Sequence, residues 1–164
     1  MLDLLPLLSA LLLALAAIPA FRRPGSRPRR ALRIAESAPL AAAAAALASV
    51  LLLIDGGPAT GPALGIGGWS QAPRLDAVSA TMLLLVSGIG WVVLRYSATY
   101  LDGAARQGWF TGWMGLTLAC AMLLVTAGTL AQLILAWVAT SLALHKLLLF
   151  YPDRVAAQRA ARKK

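Results

Sequence analysis

A chain of 164 residues that is 60% hydrophobic and only 13% charged is not a soluble domain, which would carry about 25% charged residues. Its formal net charge of +9 does not mark a nucleic-acid face, because the arginines lie between apolar runs, where membrane topology accounts for them. One cysteine, Cys120, and one histidine, His145, exclude a disulfide framework and a multi-histidine metal site, so no metal or cofactor is expected.

A spanning helix needs about 20 mostly apolar residues, and five runs approach that length: residues 4–21, 39–54, 76–96, 109–129 and 130–151. They predict an all-α polytopic bundle of about five transmembrane spans forming one membrane domain over residues 1–164. The first run is preceded by Asp3 and by no Lys or Arg, whereas a secretory signal has a basic start. It is expected to be retained as a helix. The second run is alanine-rich, which makes a slim helix suited to close packing. The fourth and fifth runs are divided at Ala127-Gly128-Thr129, since one unbroken helix of that length would overshoot the membrane.

The connections alternate in charge. Arg22, Arg23, Arg27, Arg29, Arg30 and Arg33 follow the first run, with Ser26 to Arg30 expected as a surface loop. The second connection holds Gly, Pro and Trp69 with a single Arg74, the third holds Arg95 and Arg106, and the turn near Gly128 has no basic residue. The tail holds Arg154, Arg159, Arg162, Lys163 and Lys164. The positive-inside rule then predicts the N-terminus outside, the C-terminus inside, and a multi-pass protein of the plasma membrane with lipid as its first partner.

Polar side chains inside a span are costly, which makes them functional candidates. Trp137, Ser141 and His145 are spaced by four and share a helical face, with Thr140 beside it and Lys146 one step round. Imidazole exchanges protons near neutral pH, so this group is a candidate proton path. The same residues also fit a lysine that snorkels to the headgroups and a histidine bonded to a neighbouring helix. On the third span Trp91 and Arg95 can stack, and Arg95 reads as an interfacial anchor. Ser87, Gly88 and Gly90 form a small-residue face, as do Gly112 and Gly115 on the fourth span. Thr111, Thr117 and Thr126 are expected to bond their own helix backbone. No nucleophile–His–acid set exists, so enzyme activity is not expected of the chain itself. Gly65-Ile66-Gly67-Gly68 lacks the Lys-Ser/Thr ending of a phosphate loop. No carboxylate lies at the middle of a span: Asp76 opens the third, Asp102 follows it, and Asp153 lies beyond the fifth.

From Leu75 onward the chain resembles the start of a proton-conducting antiporter-type subunit, the family of the large subunits of complex I and of multisubunit cation/proton antiporters. The resembling residues are Asp76 and Ser79, then Tyr96, Ser97 and Tyr100, then Trp109-Phe110, and finally Trp137. The respiratory members carry a glutamate directly after the matching tryptophan, and Val138 stands there in this chain. The stretch from Trp137 to Arg154 is similar to a divergent branch, the DabB-type membrane subunit of an inorganic-carbon accumulation complex. The resemblance implies a cation- or proton-coupled CO2/bicarbonate uptake subunit in a bacterial inner membrane. It also implies a large cytoplasmic zinc partner of β-carbonic-anhydrase type (DabA-like), and a chain that is the N-terminal portion of a longer fold. A complex I or Mrp-type antiporter subunit is the alternative, and a membrane scaffold without transport of its own is a third.

Overall fold

Lipid offers no partner to a backbone N–H or C=O, so an apolar run inside a bilayer must close its hydrogen bonds within itself. The structure, a computed structural model that describes residues 5–25, 29–62 and 72–150, shows five helices formed in this way. They are α1 (Leu5–Arg22), α2 (Arg29–Gly56), α3 (Ala77–Tyr100), α4 (Gln107–Val125) and α5 (Leu130–Leu148). By length and hydropathy, α2 to α5 can each cross a membrane. α1 has 18 residues and is about 27 Å long, close to the thickness of the hydrocarbon layer. Asp3, the Ser26-Arg27-Pro28 stretch, the Gly65–Gly68 motif, Trp69 and the basic tail from Tyr151 lie outside the described residues.

Several boundaries differ from the hydropathy pattern for local reasons. α2 starts at Arg29 rather than residue 39, so Arg29, Arg30 and Arg33 stand on a helix and not in a loop. Arg, Ala, Leu and Glu are good helix formers, and Ala31, Ala35 and Ala38 in this first part are buried. α3 runs on to Tyr100, so Tyr96, Ser97 and Tyr100 stand on the helix itself. α4 stops at Val125 rather than 129, and α5 at Leu148 rather than 151, with Leu149 as its C-cap. α2 ends at Gly57, whose φ of 75° is the left-handed geometry that closes a helix, here with Gly57 N–H donating to Leu53 C=O at 2.9 Å.

α1, α2, α3 and α4 pack in a ring, each against the next and α4 back against α1, while α5 packs on α4. The centre of the ring is built from small residues: Ala10 and Ala16 of α1, Ala38, Ala42 and Ala46 of α2, and Ala119 of α4, with Leu13, Leu83 and Met122 filling between them. The bulky aliphatic side chains point outward instead, with Leu11, Leu15, Leu51, Leu85 and Ile89 all more than half exposed. Lipid tails are as apolar as leucine, so helices gain from close backbone approach rather than from hiding leucine. The same logic explains the glycines of α4. Gly112 lies against the Phe21 ring and Gly115 against Ala17, letting α1 and α4 touch along their length.

At one end of the bundle a short extended segment joins two connections. Residues 74 and 75 pair antiparallel with 60 and 59, while on its other side the Arg74 N–H donates to Thr126 C=O at 2.9 Å and the Gly128 N–H to Ala72 C=O at 2.9 Å. The break between α4 and α5 is therefore bonded to the α2–α3 connection. At the opposite end lie Arg22, Arg23, Arg29, Arg30, Arg33, Arg95, Arg106 and Lys146, every described Lys and Arg except Arg74. Charge is segregated along the bundle axis.

Candidate functional site

α5 opens at Thr129, whose side chain accepts from the Gln132 N–H at 3.2 Å, satisfying one of the free donors of a helix start. Its buried positions are Gln132, Ala136 and Ala143, which leaves the rest of the helix lightly covered. Trp137 is 66% exposed and Val138 48%. Thr140 is half-buried and donates to Ala136 C=O at 2.7 Å. Ser141 and His145 are half-buried, and Lys146 is exposed. The His145 ring has no hydrogen bond among the described residues, while its backbone C=O accepts from the Leu149 N–H at 3.2 Å. Ser141 and His145 are thus one turn apart on a half-buried face of α5, and Lys146 stands at the basic end of the bundle. No carboxylate stands on α1, α3, α4 or α5, and those of α2, Glu36 and Asp55, lie near its two ends.

α3 positions the other motif residues. Asp76 and Ser79 form a reciprocal cap: the Ser79 N–H donates to the Asp76 carboxylate at 2.8 Å and the Asp76 N–H to the Ser79 hydroxyl oxygen at 2.8 Å. The Ser79 backbone N–H holds the Asp76 carboxyl below its usual range; the Ser79 hydroxyl and the Arg74 guanidinium act the same way, against some desolvation. Arg74 Nε lies 3.2 Å from the carboxylate. At the other end of α3, Ser97 is buried and donates to Val93 C=O at 2.6 Å, whereas Tyr96 and Tyr100 are exposed with rings stacked at 5.5 Å. Asp76, Ser79 and Ser97 therefore serve the helix, and the two tyrosines face outward. The motif on α3 and the polar line on α5 do not come together. Among the described residues no three His, Cys, Asp or Glu side chains gather as metal ligands would.

As expected, the hydroxyls of Thr111, Thr117 and Thr126 bond the carbonyls of Gln107, Trp113 and Met122. Two buried amides were not singled out by sequence reasoning. Gln107 is fully buried and its Nε2 donates to Ala98 C=O at 2.9 Å, tying α4 to the end of α3. Gln132 donates to Leu123 C=O at 3.2 Å, tying α5 to α4. The one available signal was a glutamine at the start of each apolar run. At the basic end Arg106 sits over the Trp109 ring, 4.6 Å from its centroid, and Phe150 packs on Trp109 and Phe110, holding the end of α5 to the start of α4.

The segment that carries α3, capped by Asp76–Ser79 and ending in the exposed tyrosine pair, is similar in sequence to antiporter-like membrane subunits. Residues 70–111, which contain all of α3 and the start of α4, match the family described as NADH-Ubiquinone oxidoreductase (complex I), chain 5 N-terminus. In particular, the chain is similar to the probable inorganic carbon transporter subunit DabB of Hydrogenovibrio crunogenus, 39% identical over 60% of this chain and 18% of that protein. It is also similar to the probable inorganic carbon transporter subunit DabB2 of Halothiobacillus neapolitanus, at 36% over 61% of this chain and 18% of that protein. NADH-quinone oxidoreductase subunit L of Mycobacterium tuberculosis is 32% identical over 55% of this chain and 14% of its own length. The chain spans less than a fifth of the length of each of these relatives.

Proposed function

We propose that this chain is the N-terminal membrane portion of the ion-conducting subunit of a cation- or proton-coupled inorganic carbon uptake complex, multi-pass in a bacterial inner membrane. The observation that carries the proposal is the similarity to DabB-type subunits over about three-fifths of the chain. Val138 supports the same branch, since it stands where the respiratory resemblance calls for a carboxylate. The partner is a large cytoplasmic zinc protein of β-carbonic-anhydrase type, and the zinc chemistry belongs to that partner. The arginines gathered at one end of the bundle supply a charged surface for its docking. In the full-length protein, co-expression with a zinc protein of β-carbonic-anhydrase type from the same genome and affinity purification from detergent should bring both proteins down together. A membrane subunit that purifies alone, while a homologous pair co-purifies, would overturn the proposal.

A complex I or Mrp-type antiporter subunit is the alternative, favoured by the match over residues 70–111. The two separate on phenotype: loss of the gene would then abolish NADH-dependent quinone reduction or sodium tolerance and leave carbon-dependent growth unchanged.

We further propose that the arginine-rich end faces the cytoplasm, with the N-terminus outside and the C-terminus inside, because basic connections are retained on that side. In a background with Cys120 replaced by alanine, a cysteine at Gly61 should react with an impermeant maleimide added outside, and one at Ser26 should not. The reverse pattern would invert the orientation.

A further inference from the structure

Toward the basic end, one face of α3 carries Trp91, Val92, Arg95, Tyr96, Thr99 and Tyr100, which line an open groove of about 500 Å³. These positions repeat at four-residue spacing on a single helix face, turned away from the buried Gly90, Leu94 and Ser97. The Arg95 guanidinium lies 5.9 Å from the centroid of the half-buried Trp91 ring, which holds it against the helix. Among the described residues Arg95 has no ion pair, and the hydroxyls of Tyr96, Thr99 and Tyr100 have no hydrogen bond. The serines and threonines that bond their own backbone, such as Ser97 and Thr81, show that these free donors are a local feature. Asp102, the next acid along the chain, has an interaction of its own.

Below this cluster of donors the same face turns apolar. Leu85, Ile89 and Val92 are each more than half exposed and continue the line toward the middle of the span. A cationic head with hydrogen-bond donors, continuous with an apolar track, has the chemistry of a phospholipid and not that of a soluble anion or a peptide. The negative end of the α3 dipole opposes a phosphate beside Thr99 and Tyr100, in the last turn, and the Arg95 charge, more than a turn before the C-cap Leu101, is what offsets it.

We propose that this face of α3 is a binding site for an anionic membrane lipid, whose phosphate meets Arg95 and the Tyr96, Thr99 and Tyr100 hydroxyls while an acyl chain lies along Val92, Ile89 and Leu85. The site needs nothing from the transport proposal.

The test uses the full chain in vesicles of equal parts phosphatidylcholine and phosphatidylglycerol, followed by native mass spectrometry of retained lipid. Wild type should retain phosphatidylglycerol in preference to phosphatidylcholine. Arg95→Gln should cut that preference about fivefold, the value of one charge near a membrane surface. Arg95→Lys should fall between the two, keeping the charge but losing the planar fork that grips phosphate. Arg106→Gln, on the neighbouring connection, should leave the preference unchanged. Circular dichroism checks that the variants stay helical. In parallel, phosphatidylglycerol with brominated chains should quench the Trp91 emission, taken as the difference between wild type and Trp91→Phe. Equal retention of the two lipids, or an unchanged preference in Arg95→Gln, would overturn the proposal. So would an unquenched Trp91, which would mean that protein and not lipid covers the groove.

Discussion

In the full-length protein, His145→Ala is expected to abolish carbon-dependent growth rescue, reducing it to the level of the empty vector, while membrane insertion and yield stay at wild type. The helix does not depend on the imidazole, since the bonds His145 makes to the helix are through its backbone, whose C=O also accepts from the Leu149 N–H. Alanine is also a better helix former than histidine. The ring is half-buried one turn beyond Ser141, and an imidazole is the side chain that most often serves as a proton shuttle. His145→Gln separates the two roles open to it, because a glutamine keeps hydrogen bonding but does not titrate. Loss of growth in both variants supports proton transfer through this residue. Activity retained in the glutamine variant would assign the histidine a packing role and move the ion path elsewhere in the full-length protein.

The second large effect is structural. Gly108, in the first turn of α4, lies where an added Cβ would overlap the Arg23 carbonyl oxygen and come within 3.1 Å of the Ala20 carbonyl oxygen. Backbone atoms cannot swing aside as a side chain can, so Gly108→Ala must push α1 and α4 apart. Overpacking of this kind typically costs about 1–3 kcal/mol, and a clash with backbone belongs at the upper end. The variant should lower the melting temperature in detergent by several degrees and reduce the yield of monodisperse protein. Gly88→Ala is the control, because a Cβ there meets nothing within 4 Å. A Gly108→Ala protein as stable as wild type would mean that the contact between α1 and α4 is looser than the structure has it.

Hydropathy was enough to find every helix among the described residues, because a bilayer imposes length and apolarity together. It missed the first part of α2, where Arg29, Arg30 and Arg33 hide a helix whose signal is the spacing of Ala31, Ala35 and Ala38. The break at Ala127-Gly128-Thr129 was legible from length. That Gly128 is bonded to Ala72 was not, since nothing in the residues around 72–75 announces pairing with two partners far along the chain. Helical periodicity placed Trp137, Ser141 and His145 on one face. Whether that face is covered depends on which helices pack beside α5, and a single helix's sequence does not carry that information. Gln107 and Gln132 escaped notice for the same reason: each donates its side-chain amide to a carbonyl on the preceding helix, nine residues back.

The bonding of residues 72–75 to the α4–α5 turn pins one end of α5. Its first residue is held close to a fixed point by the Gly128–Ala72 and Arg74–Thr126 hydrogen bonds. Its far end is held by the packing of Phe150 on Trp109 and Phe110, together with an Arg106 contact to the Phe150 C=O at 3.4 Å. From Thr129 to His145 the helix rises about 24 Å, so rocking α5 by roughly 5° about the fixed end would displace the imidazole by about 2 Å. That distance separates a hydrogen bond from none. Only if the Phe150 packing were lost, with the bonded end at rest, would a swing of that size connect or disconnect His145 from a partner beside it.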